Sequence, residues 1–328
     1  MFEEYRRVFV LGAGFSKSFS SSVPTIQDLN NALFDTHAGH HDKYRQLRAF
    51  ARRYYEMSNH REELRNLENL STVIFAKVIF KNPEEELEFQ LLRYQLLRFI
   101  YDNTRVIQID QASDDVLVRF VRFCGKSLDD QNKEESVIIT FNYDLILEQA
   151  YRKAYASKSY PIFYGIDLNY YDARRKAQID TPRLLEIIKL HGSFNWFRVK
   201  GSSSNDISSV YEVDEAEPGI HENDVPVFIP MAHNKELFLN GPLYSTLWAK
   251  AMRFLDKAEE LVFIGYGFPQ TDINNLVLFL NYKEKIRHVV VSYERPDHPN
   301  LKRLQQMFGE GVVRNANAKD FLMSEYLR

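Results

Sequence analysis

Four short clusters of glycine and polar residues, each following an apolar run, hold the side chains of this chain best suited to chemistry. The first is Gly12-Ala13-Gly14-Phe15-Ser16, after Val8-Phe9-Val10-Leu11. Two glycines spaced by one residue make a tight strand-to-helix turn. The free N–H groups and positive dipole end of the helix that follows suit an anion, most often a phosphate. Gly12 would permit the turn and Gly14 would let the backbone approach a pyrophosphate, but Lys17 stands where the dinucleotide fingerprint has its third glycine. An unliganded strand-to-helix turn has the same composition, so this motif alone leaves both readings open.

The second cluster, Asn142-Tyr143-Asp144, follows Ser136 to Phe141 and delivers polar side chains at the carboxyl end of a strand, where open α/β sheets bind ligands. Asp144 reads equally as a helix N-cap or a ligand contact, whereas Asn142 stands too early to cap. The third is His191-Gly192, at the end of an expected strand from Ile187 to Ser193. A histidine there can bond a backbone carbonyl and do nothing more, or, titrating near neutrality, can move a proton. Gly265-Tyr266-Gly267, after Leu261 to Ile264, is the fourth, and a further strand, Arg287 to Ser292, ends beside Tyr293. His37, His40 and His41 invite a metal reading, but their polar surroundings and the lack of a second ligand cluster favour a solvated loop.

The elements that must position these clusters alternate in type. β-rich segments, each followed by a helical pattern, predict a parallel, Rossmann-like, doubly wound α/β sheet in one domain spanning residues 1–328. Two insertions interrupt it. From about 44 to 125, Leu, Glu, Arg and Phe recur at helical spacing: Leu64, Leu67, Leu70, Ile74 and Val78 form one stripe, and Leu87, Leu91, Leu92, Leu96, Phe99 and Ile100 another. That apolar surface exceeds what one layer on a sheet needs, so this segment is expected to hold a homo-oligomer together, with Leu92 and Phe99 as test positions. From about 156 to 240 the chain reads as a loop-rich insertion with one aromatic strand at Asn195-Trp196-Phe197, and Ile162 to Arg183 reads as a surface excursion. Ser20 to Thr25 is expected to be a mobile loop over the phosphate site.

Composition narrows the function classes. A net charge of -3 lacks the overall electrostatic footprint of a nucleic-acid binder, so nucleic acid is expected only through a partner. The single cysteine, Cys124, excludes a disulfide framework and cysteine-rich zinc sites, and suits a reducing cytoplasm. No segment reaches membrane length, and a soluble cytoplasmic protein is expected.

Taken together, Gly12-Ala13-Gly14-Phe15-Ser16, Thr140-Phe141-Asn142-Tyr143-Asp144, Leu190-His191-Gly192 and Gly265-Tyr266-Gly267 resemble the ordered signature of the sirtuin (SIR2) superfamily. The resemblance is closer to the SIR2-like domains of bacterial anti-phage defence proteins. It implies that NAD is the substrate, with Asn142 and His191 in the catalytic centre and Asp144 beside them to offset positive charge or orient the carboxamide. It further implies contacts to NAD from Gly12, Ala13, Gly14, Phe15 and Ser16, from Thr140, from Gly265, Tyr266 and Gly267, and from the strand-end Ser292. The four-cysteine zinc module and the Gly-x-Pro-Asp-Phe-Arg loop of protein-deacylating sirtuins are missing, since Ser22-Val23-Pro24-Thr25 stands in the loop's place. The expected activity is therefore NAD hydrolysis to nicotinamide and ADP-ribose in anti-phage defence, restrained by assembly, a ligand or a separate sensor protein. The alternatives are an NAD-dependent deacylase or ADP-ribosyl transferase, and a non-catalytic NAD-binding subunit.

Overall fold

The computed structural model describes residues 7–34, 43–57, 66–76, 82–125, 136–155, 162–170, 184–202, 207–213, 224–233, 235–239, 241–269 and 272–328. His37, His40, His41, Leu64, Val78 and most of the polar stretches 171–183 and 214–224 lie outside them.

The strand β1 (Arg7–Leu11) forms the middle of the molecule because Val8, Phe9, Val10 and Leu11 are all fully buried, as a strand covered on both faces must be. On one side it pairs in parallel with β2 (Ser136–Thr140), and β2 pairs with β4 (Ile187–Lys189). On the other side it pairs in parallel with β8 (Glu260–Ile264), followed by β9 (Ile286–Val291) and β10 (Val313–Asn315). The order β10-β9-β8-β1-β2-β4 means the chain builds outward from β1 one way, then returns and builds the other way. The reversal point lies between β1 and β8. A crevice opens above their carboxyl ends, which is the general ligand position of doubly wound sheets. The parallel α/β sheet expected from the sequence is thus present.

Helices cover both faces. The turn after β1 feeds α1 (Ala13–Phe19), and α2 (Ile26–Phe34), α3 (Arg45–Met57), α4 (Leu67–Phe75) and α5 (Pro83–Thr104) follow. Asn82 caps α5 by accepting the Glu85 N–H at 2.9 Å, and Pro83 with Glu84, Glu85 and Glu86 completes a favourable helix start. Helices α2 to α5 form a module with a core distinct from that of the main sheet, in which Leu33, Leu47, Leu70, Leu92, Leu96 and Phe99 are buried together with Leu145, Phe194 and Phe228 from outside the module. This corrects two expectations. Leu92 and Phe99 are each only 1 % exposed, so they pack the module itself rather than a second copy of the chain; the exposed members of that stripe are Leu87 and Leu91. The boundary also moves, because α6 (Gln111–Cys124) belongs to the main core, where Phe120 meets Phe9 edge-on at 5.1 Å.

After α7 (Ile146–Ala154), the second insertion contains more structure than its loop-rich composition predicts. Strands β3 (Asn169–Tyr170), β5 (Gly192–Arg198), β6 (Val210–Glu212) and β7 (Val225–Phe228) make a separate sheet in the order β3-β6-β5-β7. Tyr164, expected on the surface, is 1 % exposed and meets the Trp196 ring edge-on. The final third adds α8 (Glu236–Leu239), α9 (Pro242–Lys257), α10 (Ile273–Leu280), α11 (Pro299–Phe308) and α12 (Ala318–Glu325). Among the described residues no helix is long and apolar enough to cross a membrane.

Candidate active site

The floor of the crevice is an interlock of two glycine turns. The Gly12 N–H donates to the Ile264 carbonyl at 3.1 Å and the Gly14 N–H to the Gly265 carbonyl at 2.9 Å. A Cβ on Gly12 would lie 2.6 Å from the Gly265 oxygen. Gly265 has φ +69°, and a side chain on it would meet the Phe15 nitrogen at 2.0 Å. The glycines are therefore required by one another's backbones. Gly14 spends its N–H inside this interlock, which corrects the simple picture of a free phosphate cradle. Ala13 and Gly14 nevertheless remain open to the crevice.

One wall is a hydrogen-bonded chain growing from the end of β2. Asn142 donates from Nδ2 to the Gly12 carbonyl at 2.8 Å and to Ser16 Oγ at 2.9 Å. A carbonyl oxygen can only accept, so the amide orientation is fixed by chemistry. Ser16 Oγ in turn donates to Asp144 Oδ2 at 2.6 Å, while Asp144 Oδ1 accepts the Ile146 N–H at 3.2 Å. Burial raises the Asp144 carboxyl above its ordinary range, against the lowering influence of Lys189 and Ser16. Beneath it, the buried Lys189 donates to the Asp144 main-chain carbonyl at 2.6 Å and to Glu148 Oε1 at 2.8 Å. Polar contacts continue through Tyr164 to Asn195 and Glu212 in the small sheet.

His191 lies in the turn between β4 and β5, not at the end of one long strand as expected. Gly192 makes the turn possible: it has φ +83°, and a Cβ there would meet the Val227 oxygen at 2.4 Å. The imidazole is 6 % exposed and packs against the Phe141 ring at 5.1 Å. Burial pushes it down to about 3, helped by the Lys235 charge and opposed by Asp272. It is thus neutral at pH 7 rather than titrating near neutrality. Phe141 stacks on Tyr266 at 4.5 Å, and Tyr266 donates to Asp272 Oδ2 at 3.0 Å. Asp272 also pairs with Lys235. Tyr143 packs on Phe194 and Phe228, and burial together with the charges of Asp272, Glu68 and Asp144 raises its hydroxyl.

A single cleft of about 510 Å³ is bounded by the glycine turns, Asn142 to Asp144, His191, residues 229–231 and Lys235, and by Val23 to Ile26, Glu68 and Thr104 of the helical module and its approach. A family model described as the SIR2-like domain matches residues 136–310, just over half of the chain. The protein belongs to the SIR2-like family. Several solved structures are similar to this SIR2-like protein. A Sir2 homologue in complex with NAD has 13 % identity and a TM-score of 0.47 over 97 % of this chain and 87 % of that one. A mutant Sir2 homologue with ADP-ribose gives 13 % and 0.44 over 97 % and 89 %, and a Sir2 enzyme bound to a propionylated peptide gives 13 % and 0.41 over 98 % and 92 %. No curated protein sequence matches.

Of the residues singled out from the SIR2-like sequence, Gly12, Ala13, Gly14, Ser16, Asn142, Asp144, His191, Gly265, Tyr266 and Gly267 line the cleft. Three do not. Phe15 is buried in the main core, packing on Phe19 and Phe120. Thr140 is buried and accepts the Asn142 N–H at 3.0 Å, so it shapes the turn from behind. Ser292 is exposed to solvent outside the cleft, and its neighbour Tyr293 is the residue that reaches it. The serine loop is also not free: Ser20 Oγ donates to the Gln108 carbonyl at 2.5 Å and the Ser21 N–H to Asp110 at 3.1 Å. Sequence reasoning missed Lys235, Asp272 and Glu68. The position of Asp272 just after Gly265-Tyr266-Gly267 was a usable signal for it; nothing local marked Glu68.

Proposed function

We propose that this SIR2-like cleft binds NAD and hydrolyses it to nicotinamide and ADP-ribose. The observation that carries the reading is the meeting of Asn142 and His191, from distant parts of the chain, beside the interlocked glycine turns in one cleft. Nicotinamide departs as a neutral molecule from a cationic ring, so the reaction needs no general acid, unlike the hydrolysis of ordinary glycosides. It needs a fixed ribose, support for a developing oxocarbenium charge, and a proton acceptor.

The residues present suit those tasks. Asn142 is held by both hydrogens of its amide, and among the described residues its Oδ1 takes no hydrogen bond, leaving it to a ribose hydroxyl or the attacking water. His191 is in the neutral form that accepts a proton, and the negative phosphates of a bound dinucleotide would strengthen it as a base. Asp144 is engaged by Ser16 and Ile146, which suits charge support at a fixed position better than movement.

The biological setting we propose is anti-phage defence through NAD depletion, with restraint by assembly or a separate sensor protein. The exposed Leu87 and Leu91 are the module positions suited to assembly. Chromatography of NAD incubated with the purified protein, with and without an acylated peptide, tests the reaction. Nicotinamide and ADP-ribose without peptide are expected. Strict dependence on the peptide would instead indicate a deacylase, and tight binding without turnover a regulatory subunit.

A further inference from the structure

We propose that Glu68, carried into the cleft by the helical module, recognises the positive charge of the oxidised nicotinamide ring, so that the site selects the oxidised dinucleotide over the reduced one. The inference rests on the reading of this cleft as an NAD site.

Glu68 is half-buried and lines the cleft, yet among the described residues its carboxylate takes no hydrogen bond and no ion pair. Its main chain, by contrast, is held firmly. The neighbouring Leu67 N–H donates to the buried Asn30 Oδ1 at 2.7 Å, and Thr72 Oγ1 donates to the Glu68 carbonyl at 2.7 Å while accepting the His233 N–H at 2.9 Å. A partly buried carboxylate that has no partner and is carried on an anchored backbone is completed by a cation that arrives from outside.

The other acidic groups of the cleft are already engaged. Asp272 is paired with Lys235, and Asp144 accepts from Ser16 and from the Ile146 N–H. Glu68 lines the same cleft as Asn142 and Tyr143, and its charge, with those of Asp272 and Asp144, reaches the Tyr143 hydroxyl. NAD carries one positive charge, on the nicotinamide ring. NADH and ADP-ribose share its phosphates and riboses but lack that charge, so a partly buried carboxylate beside the ring discriminates among them.

The experiment is calorimetric titration with carba-NAD, the non-hydrolysable analogue that keeps the cationic ring, and with NADH and ADP-ribose. Wild-type protein is expected to prefer carba-NAD to NADH by about tenfold, the scale of one partly buried charge pair. Glu68→Gln should remove that preference while leaving NADH and ADP-ribose affinities within about twofold. Equal weakening of all three ligands would reduce Glu68 to a structural role and overturn the proposal, and so would no change at all. A wild-type protein without the preference overturns it whether or not the variant folds. Selective binding without release of nicotinamide from NAD would remove the hydrolase reading and keep this one. Release without selectivity would do the reverse, and failure to bind any of the three would remove both.

Discussion

The two walls of the cleft are built on different principles. On the sheet side, Asn142, Ser16, Asp144 and Lys189 bond to one another in a continuous chain that passes through the buried Lys189–Glu148 pair toward the small sheet. On the module side, Glu68 lines the cleft with no side-chain partner among the described residues, and the segment bearing it is tied to residue 233 by two polar contacts, Thr72 to the His233 N–H and Asn69 to its ring at 3.0 Å. One wall is preorganised and expensive to disturb. The other presents a charge to whatever enters. Chemistry that needs fixed geometry belongs on the first wall, and recognition that responds to the ligand belongs on the second.

Substitutions can separate the two. The largest effect is expected for His191→Ala, with nicotinamide release falling by about 10² to 10⁴-fold while the melting transition stays close to wild type. Near-normal turnover would leave His191 as a packing residue and shift the chemistry elsewhere. Next comes Lys189→Met, which strands the Glu148 carboxylate in the core and should cost about 3–5 kcal/mol in denaturant unfolding. Lys189→Met combined with Glu148→Leu should recover much of that loss, because an apolar pair needs no counter-charge. If the double variant is no better than the single one, the pair is not the origin of the cost. Gly265→Ala should cost roughly 2–3 kcal/mol, from the left-handed backbone and the close approach to Phe15.

A pH experiment addresses His191 without any ligand. Its ordinary value is 6.5 and burial lowers it to about 3, so between those values the unfolded chain binds a proton that the folded protein refuses. Stability must therefore fall as the pH drops through that window. His191→Gln should lose less stability than wild type from pH 6.5 toward 3, in melting curves recorded across the range. Asp144, whose raised carboxyl pulls the other way, is common to both proteins and cancels in the comparison. Parallel pH curves would mean the imidazole is hydrated. The smallest effect is expected on the module side, where His233→Ala should cost about 1 kcal/mol, the usual worth of one hydrogen bond.

The sequence made the sheet side legible and left the module side largely unread, for a physical reason. Gly12, Asn142, His191 and Gly265 stand at the ends of buried parallel strands, where the apolar runs announce the element and the polar residue after each run announces the site. The main-sheet strands follow those runs closely. Glu68 lies among Leu67, Leu70 and Ile74 on an amphipathic helix, where a carboxylate on the polar face looks like solvated surface until the packing of α4 is known. Leu92 and Phe99 posed a similar problem: an apolar stripe states that a helix face is covered, not by what. Of the small sheet only the aromatic strand at Asn195-Trp196-Phe197 was legible, because the other short strands are separated by polar stretches and the polar core residues Ser193, Asn195 and Glu212 satisfy one another only in three dimensions.

The interlock of Gly12 and Gly14 with Gly265 also bears on the protein's birth. Synthesis proceeds from the amino terminus at about 5–20 residues per second, so roughly ten to fifty seconds separate the emergence of the two turns from the ribosome. Throughout that interval β1 has no β8 beside it and the cleft has no floor. A nascent or truncated chain that stops short of Gly265 can carry Asn142 and His191 and still lack the glycine interlock beside which the two residues meet.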